Sequence, residues 1–476
     1  MTHVPIWCYL TGKETEERIP LTRQHPIERA TLALALLALL TAACGQYEGV
    51  HPSGPLAQGS PGALAAPSTA IPGQPGSTVP GSGTSAGPVT GPGPTSGPTS
   101  GGVPTSGPYT GEVGVTKDSI LLAYIYPRSG PYQALTTNFE PAVRSAMRTI
   151  NDAGGIHGRR LEFVGCDDGY TNASLALACA KSMEGQAFGL NTFGLQSSTV
   201  IAPYANDHRI ATIVGNIDKA TALKLRYVFA PSTYLETSAT ILPSFIKNRL
   251  NKGNEKIGVI YQTTPQIAVI RHHFKAAAAK LGQTVVIEQP IEENPPTCIN
   301  EASNVQDAQA KVVVIFSAPV AAARCLQDSK TIGFNPTWTG VGASWNFNIT
   351  NQASGGTTNG IQMLANTRTL ESPEGQRYRA ATRKYYPNDD DAGSDDLAFL
   401  GWGQTFLWAE ALRRAGPNLT REGFVRAMES LRGWDGGQFS PLTFGPGDRR
   451  CSDFTIVIKA EDLQWKTTDA LWRRSY

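Results

Sequence analysis

Cysteines and histidines are the side chains of this sequence that could hold a metal or exchange electrons. The 476 residues contain Cys8, Cys44, Cys166, Cys179, Cys298, Cys325 and Cys451. No two of them have the Cys-x-x-Cys spacing, which argues against a zinc ribbon and against a thioredoxin-like site. His272 and His273 are adjacent, and neighbouring side chains on a helix point about 100° apart, so the pair does not face one metal. These residues therefore predict no metal site and no cofactor.

Aspartates are clustered at 389–391 and 395–396. An EF-hand loop has glycine at its sixth position and glutamate at its twelfth, and this stretch has neither. Such a cluster before a helical pattern is typical of a solvated turn, with Ser394 or Asp395 as the helix cap.

The globular part of the sequence, from residue 115 onward, has no Gly-x-Ser-x-Gly elbow, no Walker loop and no His-Glu-x-x-His motif. We therefore predict that the chain is not an enzyme and has no catalytic residues, although a catalytic triad can also be assembled from distant positions. Lys and Arg number 41 against 39 Asp and Glu, which gives a formal net charge of +2. A nucleic-acid-binding protein needs a clustered basic face, so we predict no nucleic-acid partner.

Residues 31–43 form an apolar, uncharged run that ends in small residues. The run is shorter than the roughly 20 residues that span a bilayer, and it fits the apolar core of a signal peptide. The next residue is Cys44, and Leu40-Thr41-Ala42-Ala43-Cys44 resembles a bacterial lipobox, in which the cysteine is lipidated after cleavage. We predict a signal peptide over 1–43 and a lipid anchor at Cys44. The alternative is an ordinary secretory signal with an incidental cysteine.

A segment without charged side chains follows, because no Asp, Glu, Lys or Arg occurs from His51 to Gly111. It consists mainly of Gly, Pro, Ser, Thr and Ala, and it cannot bury enough apolar surface to offset its ordering entropy. We predict a disordered tether over 44–111. As a coil of about 60 residues it would span roughly 40–45 Å, enough to hold a domain away from a membrane.

Short apolar runs alternate with helical patterns from about Val115 onward. The predicted strands are 119–125, 161–164, 188–194, 210–214, 256–261, 284–288, 311–316, 440–444 and 453–459. The predicted helices are 139–150, 172–184, 199–208, 235–250, 265–281, 299–309, 319–332, 373–385, 395–415 and 420–431. Continuously apolar strands that alternate with helices predict an α/β fold, with parallel sheets covered by helices on both faces.

Three motifs follow one another at the start of this part: Pro127-Arg128-Ser129-Gly130-Pro131-Tyr132, Asn151-Asp152-Ala153-Gly154-Gly155-Ile156-His157-Gly158-Arg159-Arg160-Leu161 and Asp167-Asp168-Gly169. In this order they resemble the type I periplasmic binding proteins, specifically the leucine/isoleucine/valine-binding group of branched-chain amino acid ABC transporters. Gly401-Trp402 and the patterns at 411–416 and 424–431 agree with the family. The resemblance covers roughly 115–465.

The resemblance implies two doubly wound lobes with parallel sheets, joined by a three-segment hinge. We expect lobe one at 115–232 plus 362–437 and lobe two at 233–361 plus 438–476. Ligand would bind between the lobes, outside the carboxyl ends of the strands. Lobe closure would sequester a small polar ligand (an amino acid, an amide or a small carboxylate), and an ABC permease in the membrane would read the closed form. The protein would act outside the cytoplasm, anchored to the outer face of the cell membrane.

The family's ligand loops map onto polar and aromatic positions after the strands. The expected ligand-binding residues are Ser129, Tyr132, Gln196, Ser197, Ser198, Gly215, Asn216, Tyr261, Thr264, Ser317, Ser344 and Trp345. A hydroxyl at the start of a helix, beside free backbone N–H groups, suits a carboxylate or carbonyl group. Each position also has a structural alternative: Ser198 or Thr199 could cap a helix, Tyr132 could pack at a lobe surface, and Trp345 could be a core residue.

One departure from the family concerns the ligand's charge. Amino-acid binders place an acidic residue in the lobe-two loop to pair with the ligand's ammonium, and residues 340–346 contain none. Because an unpaired buried ammonium is costly, an amide, a carboxylate or an aromatic acid is as plausible a ligand as an amino acid. Tyr132 and Trp345 would then offer stacking faces.

The family often has a disulfide where Cys166 and Cys179 stand, so we predict that pair. We also predict a bond between Cys298 and Cys325, which bracket the strand at 311–316, and Cys451 would be left over. Two other functions remain open: a sensor of the same fold that signals to a membrane partner, and a lipid-anchored hydrolase. Neighbouring permease and ATPase genes would favour transport, and substrate turnover would favour the hydrolase.

Overall fold

The computed structural model describes residues 111–130, 133, 136–170, 172–231, 233–342, 350, 354–449, 451–452 and 454–473. The predicted signal peptide, the lipidation site Cys44 and nearly all of the predicted tether lie outside these residues. Tyr132, Ser344 and Trp345, expected to bind ligand, also lie outside them.

The first sheet has five parallel strands in the order β2-β1-β3-β4-β5. Its part of the chain comprises β1 (Ser119–Tyr126), α1 (Phe139–Asp152), β2 (Arg160–Asp167), α2 (Ala173–Met183), β3 (Gly189–Thr192), α3 (Leu195–Asp207), β4 (Ala211–Val214), α4 (Lys219–Ala222) and β5 (Val228–Phe229). Successive β1 side chains point to opposite faces. Leu122 and Tyr124 pack in one core cluster with α1, whereas Ala123 and Ile125 pack in another with α2 and α3. Helices on both faces explain why the whole strand is apolar.

The second sheet has four parallel strands in the order β7-β6-β8-β9. Its elements are α5 (Leu235–Asn248), β6 (Ile257–Gln262), α6 (Pro265–Lys280), β7 (Val285–Ile291), α7 (Ile299–Asp307), β8 (Val312–Phe316), α8 (Pro319–Thr331) and β9 (Thr337–Gly340). The central strand β8 is buried at every position, and its side chains alternate between two core clusters. This second sheet therefore follows the same construction as the first.

The C-terminal part adds helices and a small antiparallel sheet of order β10-β11-β12. Its elements are β10 (Gln362–Ala365), α9 (Pro373–Tyr385), α10 (Asp396–Ala415), α11 (Arg421–Glu429), β11 (Phe454–Glu461) and β12 (Gln464–Arg473). A single parallel bridge joins Leu364 of β10 to Val341, directly after β9. The antiparallel sheet thus continues from the edge of the second parallel sheet.

The predicted strand at 440–444 is wrong. In that segment only Leu442 forms a β-bridge, to Trp434. Pro441 has no N–H to donate to a strand ladder, and the apolar residues Leu442 and Phe444 serve as buried anchors of an irregular segment. The pattern of apolar residues was read as a strand although the proline prevents regular pairing.

The chain passes between the cores of the two parallel sheets three times, near 234–239, 365–370 and 451–456. The predicted α/β fold with two parallel sheets and three connecting segments is confirmed. Met363 packs with the second core and Phe439 with the first. The expected lobe boundaries stay a prediction.

Both predicted disulfides are confirmed. Cys166 at the end of β2 is bonded to Cys179 of α2, with a Cα–Cα distance of 5.8 Å. Cys298, the residue before α7, is bonded to Cys325 of α8, with a Cα–Cα distance of 4.9 Å. Cys451 is buried and takes no part in either bond.

Candidate functional site

The ends of four strands meet at the carboxyl edge of the first sheet. Tyr126 of β1 is in register with Asp167 of β2, and Ile125 is in register with Thr192 of β3, which in turn pairs with Val214 of β4. The loops that follow these strands therefore lie side by side. They contain the expected ligand-binding residues Ser129, Gln196, Ser197, Ser198, Gly215 and Asn216.

Asp167 organises the first of these loops. Its Oδ1 atom accepts hydrogen bonds from the backbone N–H groups of Arg128 (2.8 Å) and Gly169 (3.0 Å), and its Oδ2 atom accepts one from the Ser129 hydroxyl. Partial burial acts to raise the pKa of this carboxyl, but these hydrogen bonds outweigh burial and hold the pKa below its usual value. The Ser129 hydroxyl therefore donates its hydrogen bond within the loop, and toward a ligand its oxygen can only accept a hydrogen bond.

Helix α3 begins at Leu195, four residues earlier than the predicted helix at 199–208. The reason is that Gly194 is the N-cap, so neither Ser198 nor Thr199 has the capping position considered for them. The first intrahelical bond runs from the Ser198 N–H to the Gly194 carbonyl at 3.1 Å. The N–H groups of Gln196 and Ser197 precede that bond and have no partner inside the helix.

The two serines of this turn point inward. Ser197 and Ser198 are 1% and 0% exposed, and both hydroxyls donate to the Gly194 carbonyl, at 3.2 and 2.6 Å. Ser198 Oγ also lies 2.6 Å from Thr192 Oγ1. Gln196, by contrast, is exposed. The hydrogen-bond donors with which this turn could bind an anion are therefore its backbone N–H groups and the Gln196 amide. The serine hydroxyls are not among them.

Asp168 and Tyr170, in the loop after β2, were not among the expected site residues. Asp168 is completely buried, and its Oδ1 atom accepts a hydrogen bond from the Tyr170 N–H at 2.8 Å. Burial raises the pKa of Asp168, and the hydrogen bonds to its carboxyl, that from Tyr170 first among them, offset only part of that effect. The Tyr170 ring lies beside Gly194, where an added Cβ atom would be 3.1 Å from the ring. The Asp167-Asp168-Gly169 motif at the end of β2 was the available signal for this neighbourhood.

Gly215 is required for close packing at this edge. A Cβ atom at Gly215 would lie 2.1 Å from the backbone carbonyl oxygen of Phe193. The loop after β4 can therefore approach the loop after β3 only with glycine at this position. Its neighbour Asn216 is partly buried.

The carboxyl edge of the second sheet carries Tyr261, near the end of β6, Thr264, in the loop after β6, and Ser317, directly after β8. Thr264 is the N-cap of α6 and accepts a hydrogen bond from the Ile267 N–H at 3.2 Å. The guanidinium carbon of Arg271 lies 3.6 Å from the centre of the Tyr261 ring, so a cation covers one face of that ring. These two side chains already have structural roles.

A glutamine joins the two loops of this second edge. Gln262 Oε1 accepts a hydrogen bond from the Ala318 N–H at 2.6 Å, and Ser317 Oγ donates to the Ala318 carbonyl at 3.2 Å. The loops after β6 and β8 are thereby held together. After β9, the structure describes the chain as far as Gly342.

Within the described ranges, no group of three or more His, Cys, Asp or Glu side chains is arranged to hold a metal ion. Asp395 caps α10, accepting hydrogen bonds from the N–H groups of Leu397 (2.8 Å) and Ala398 (3.2 Å), as predicted for that turn. The helices in the described part of the chain include none that is long and apolar enough to cross a membrane.

Comparison with protein families shows to which family this chain belongs. The family model that describes periplasmic binding proteins matches residues 119–464. The chain belongs to the periplasmic binding protein family. The resemblance seen in the sequence is therefore confirmed, whereas a search of curated proteins found no match.

Solved structures of this family share the fold at low sequence identity. A fatty acid ABC transporter substrate-binding protein from Thermomonospora curvata is 20% identical, with a TM-score of 0.65, over 76% of this chain and 95% of that one. A branched-chain amino acid ABC transporter protein from Thermus thermophilus with bound valine is 16% identical, with a TM-score of 0.66, over 75% and 97%. A solute-binding protein from R. palustris in complex with benzoate is 16% identical, with a TM-score of 0.61, over 75% and 97%. At these identities, the likeness concerns the fold.

Proposed function

We propose that this chain is an extracytoplasmic solute-binding lipoprotein of an ABC transporter that captures a small carboxylate-bearing ligand by lobe closure. The observation that carries the proposal is the first turn of α3. Its Gln196 and Ser197 N–H groups have no partner inside the helix, and its Gln196 side chain is exposed at the sheet edge where the expected ligand loops meet. Helix N-termini bind anions because unpaired N–H groups and the helix dipole both favour negative charge.

A carboxylate without an ammonium group suits this sequence better than an α-amino acid. Fatty acids, valine and benzoate, named for three of the similar structures, all carry a carboxylate, and only valine also carries an ammonium group. Residues 340–346 contain no acidic side chain that could pair with an ammonium. Burying an unpaired charge costs several kcal/mol, on the order of 3–5 where a partner has been removed. We therefore propose an apolar or aromatic carboxylate as the ligand class.

The remaining parts of the proposal concern the location and the partner. Membership of the periplasmic binding protein family supports a site of action outside the cytoplasm. Two disulfides support an oxidising compartment. We propose that Cys44 carries the lipid anchor, that the two lobes close on the ligand, and that an ABC permease accepts the closed form.

The proposal is tested by a thermal-shift titration of the chain from residue 44, with Cys44→Ser to prevent lipidation. The panel is benzoate, octanoate, valine and the amide of valine. A ligand at 100 times its Kd stabilises the folded state by about 2.7 kcal/mol. We expect stabilisation by benzoate or octanoate and little by the amide, which lacks the carboxylate. Stabilisation by the amide equal to that by the acids, or by none of the panel, contradicts the proposal.

Two variants sharpen this test. Gln196→Ala removes the exposed amide at the start of α3, and we expect it to weaken carboxylate binding about tenfold to hundredfold, the range of one hydrogen bond to a charged group. Gln306→Ala, at another exposed helical glutamine on α7, is the matched control and should leave binding unchanged. Equal effects of the two substitutions would remove α3 from the binding site.

A further inference from the structure

A cavity of about 560 Å³ lies at the amino edge of the second sheet. It is formed where β9 begins, at Thr337, whereas the expected ligand loop follows the other end of that strand. The strand separates the two positions by about 10 Å of extended chain. The cavity volume is within the roughly 300–1,000 Å³ typical of small-molecule sites. The cavity is therefore distinct from the carboxyl edge described above.

Positive charge surrounds this cavity. Arg249, Lys252 and Lys330 line it, and among the described residues no aspartate or glutamate does so. The nearest compensation is Glu255, whose Oε1 atom lies 3.9 Å from Lys252 Nζ, at the limit of an ion pair. Arg249 and Lys330 belong to no ion pair within the described part of the chain, and both are exposed. In a chain with nearly equal numbers of acidic and basic residues, three basic side chains therefore line one cavity, and two of them are outside the ion pairs of the described residues.

Helix ends account for part of this arrangement but not for all of it. Arg249 follows the last residue of α5, and Lys330 is in the last turn of α8, where cations stabilise the exposed carbonyl groups. Stabilisation of the helix ends does not require Arg249 and Lys330 to line the same cavity. The lining is mixed: the aromatic side chains Phe334 and Trp338, 7% and 8% exposed, lie in the same wall as polar residues such as Asn335 and Gln362.

We propose that this cavity, the basic cavity, is a second binding site for a small organic anion with a flat apolar body. The anionic group would lie between Arg249 and Lys330, and the apolar body would lie against Trp338 and Phe334. The cations supply long-range attraction that salt weakens, and the aromatic side chains supply contact area. The site lies outside the cleft of the proposed function, so a ligand of either site leaves the other accessible.

The test uses 8-anilinonaphthalene-1-sulfonate, a fluorescent anion of this class, with the same Cys44→Ser chain at low ionic strength. Lys330→Gln and Arg249→Gln each remove one cavity cation, and Arg324→Gln removes an exposed cation of α8 that does not line the cavity. We expect the first two substitutions to raise the Kd of the probe about fivefold to tenfold, which corresponds to one charge-assisted contact. Arg324→Gln should change the Kd less than twofold.

A second comparison separates this site from the cleft. Saturating benzoate and the Gln196→Ala substitution should leave probe binding unchanged if the basic cavity is the site. Raising the salt concentration from about 0.02 M to 0.5 M should weaken probe binding, because the Debye length falls from about 20 Å to about 4 Å. Equal probe affinity in all three cation variants, or loss of probe binding with benzoate or Gln196→Ala, would overturn the proposal. These outcomes do not depend on whether benzoate is the cleft ligand.

Discussion

At the carboxyl edge of the first sheet, the Ser197 and Ser198 hydroxyls turn inward to Gly194, while the Gln196 side chain is exposed next to α3 N–H groups that have no partner inside the helix. At the corresponding edge of the second sheet, Thr264 caps α6 and Tyr261 lies under Arg271. The two edges share a topology and both place helix N-termini there, but among the expected residues of the first edge the Gln196 side chain is exposed beside such an N-terminus. The proposal that α3 holds the ligand's carboxylate therefore rests on the exposed Gln196 amide beside the N-terminus of α3.

Removing the disulfides should cause the largest expected decrease in the free energy of unfolding. The effect on ligand affinity should differ between the two disulfides. Their cysteines are 13 and 27 residues apart, and loops of that size correspond to a loss of about 3 kcal/mol each, slightly more for the longer loop. The bond of Cys166 lies next to Asp167, which holds Ser129, so Cys166→Ser/Cys179→Ser should also weaken carboxylate binding. Urea unfolding and ligand titration measure the two quantities. Cys298→Ser/Cys325→Ser serves as the comparison and should affect stability alone.

Enlarging Gly215 should disturb the first edge directly. Gly215→Ala places a methyl group against the Phe193 carbonyl, and we expect a loss of about 2 kcal/mol in unfolding free energy together with weaker ligand binding. Gly185→Ala is the control, because a Cβ atom there meets nothing within 4 Å. If both variants unfold at the same urea concentration as the original chain, the close approach of the loops after β3 and β4 is not as described.

Removing the cap of α6 should affect stability without affecting affinity. Thr264→Ala should cost about 1 kcal/mol, the usual contribution of an N-cap side chain. Thr420→Ala removes an equivalent cap, that of α11, far from both carboxyl edges along the chain, and should cost a similar amount. Because Thr264 was expected to bind ligand, a clear loss of affinity in Thr264→Ala beyond that in Thr420→Ala would show that the second edge also contacts the ligand.

The smallest expected effect is on the pH dependence of the free energy of unfolding. Asp167 and its neighbour Asp168 should contribute to it with opposite signs. Hydrogen bonds, which outweigh partial burial, lower the pKa of Asp167, so its contribution to stability is present above its unfolded pKa of about 3.9 and is lost as the pH falls through the lower folded pKa. Burial raises the pKa of Asp168, so its contribution falls as the pH rises from about 3.9 through the higher folded pKa. Asp167→Asn and Asp168→Asn should remove these trends separately in urea unfolding measured between pH 3 and 7. Parallel profiles for the two variants would contradict the assignment.

The strands at the centres of both sheets could be predicted because they are buried on both faces. β1 and β8 are continuous apolar runs, and such runs are recognisable without any partner. The strands β9 and β10 were not predicted. β12 was missed as well because polar residues dominate its first half.

The site could be predicted only as far as its loops. The order of the motifs led to the prediction that the expected residues lie at the carboxyl ends of the strands, which share an edge in a parallel sheet. The orientation of each side chain depends on tertiary contacts. Nothing in the sequence indicates that Gly194 accepts both serine hydroxyls, that Asp168 is buried, or that Arg271 covers Tyr261.

The central claim, that the first turn of α3 holds a ligand carboxylate, is tested most directly by a crystal structure of the chain with benzoate. We predict that a carboxylate oxygen lies about 2.7–3.2 Å from the backbone nitrogens of Gln196 and Ser197, the range of a hydrogen bond. Benzoate bound with its carboxylate against the second sheet's loops, and no contact with α3, would contradict the claim.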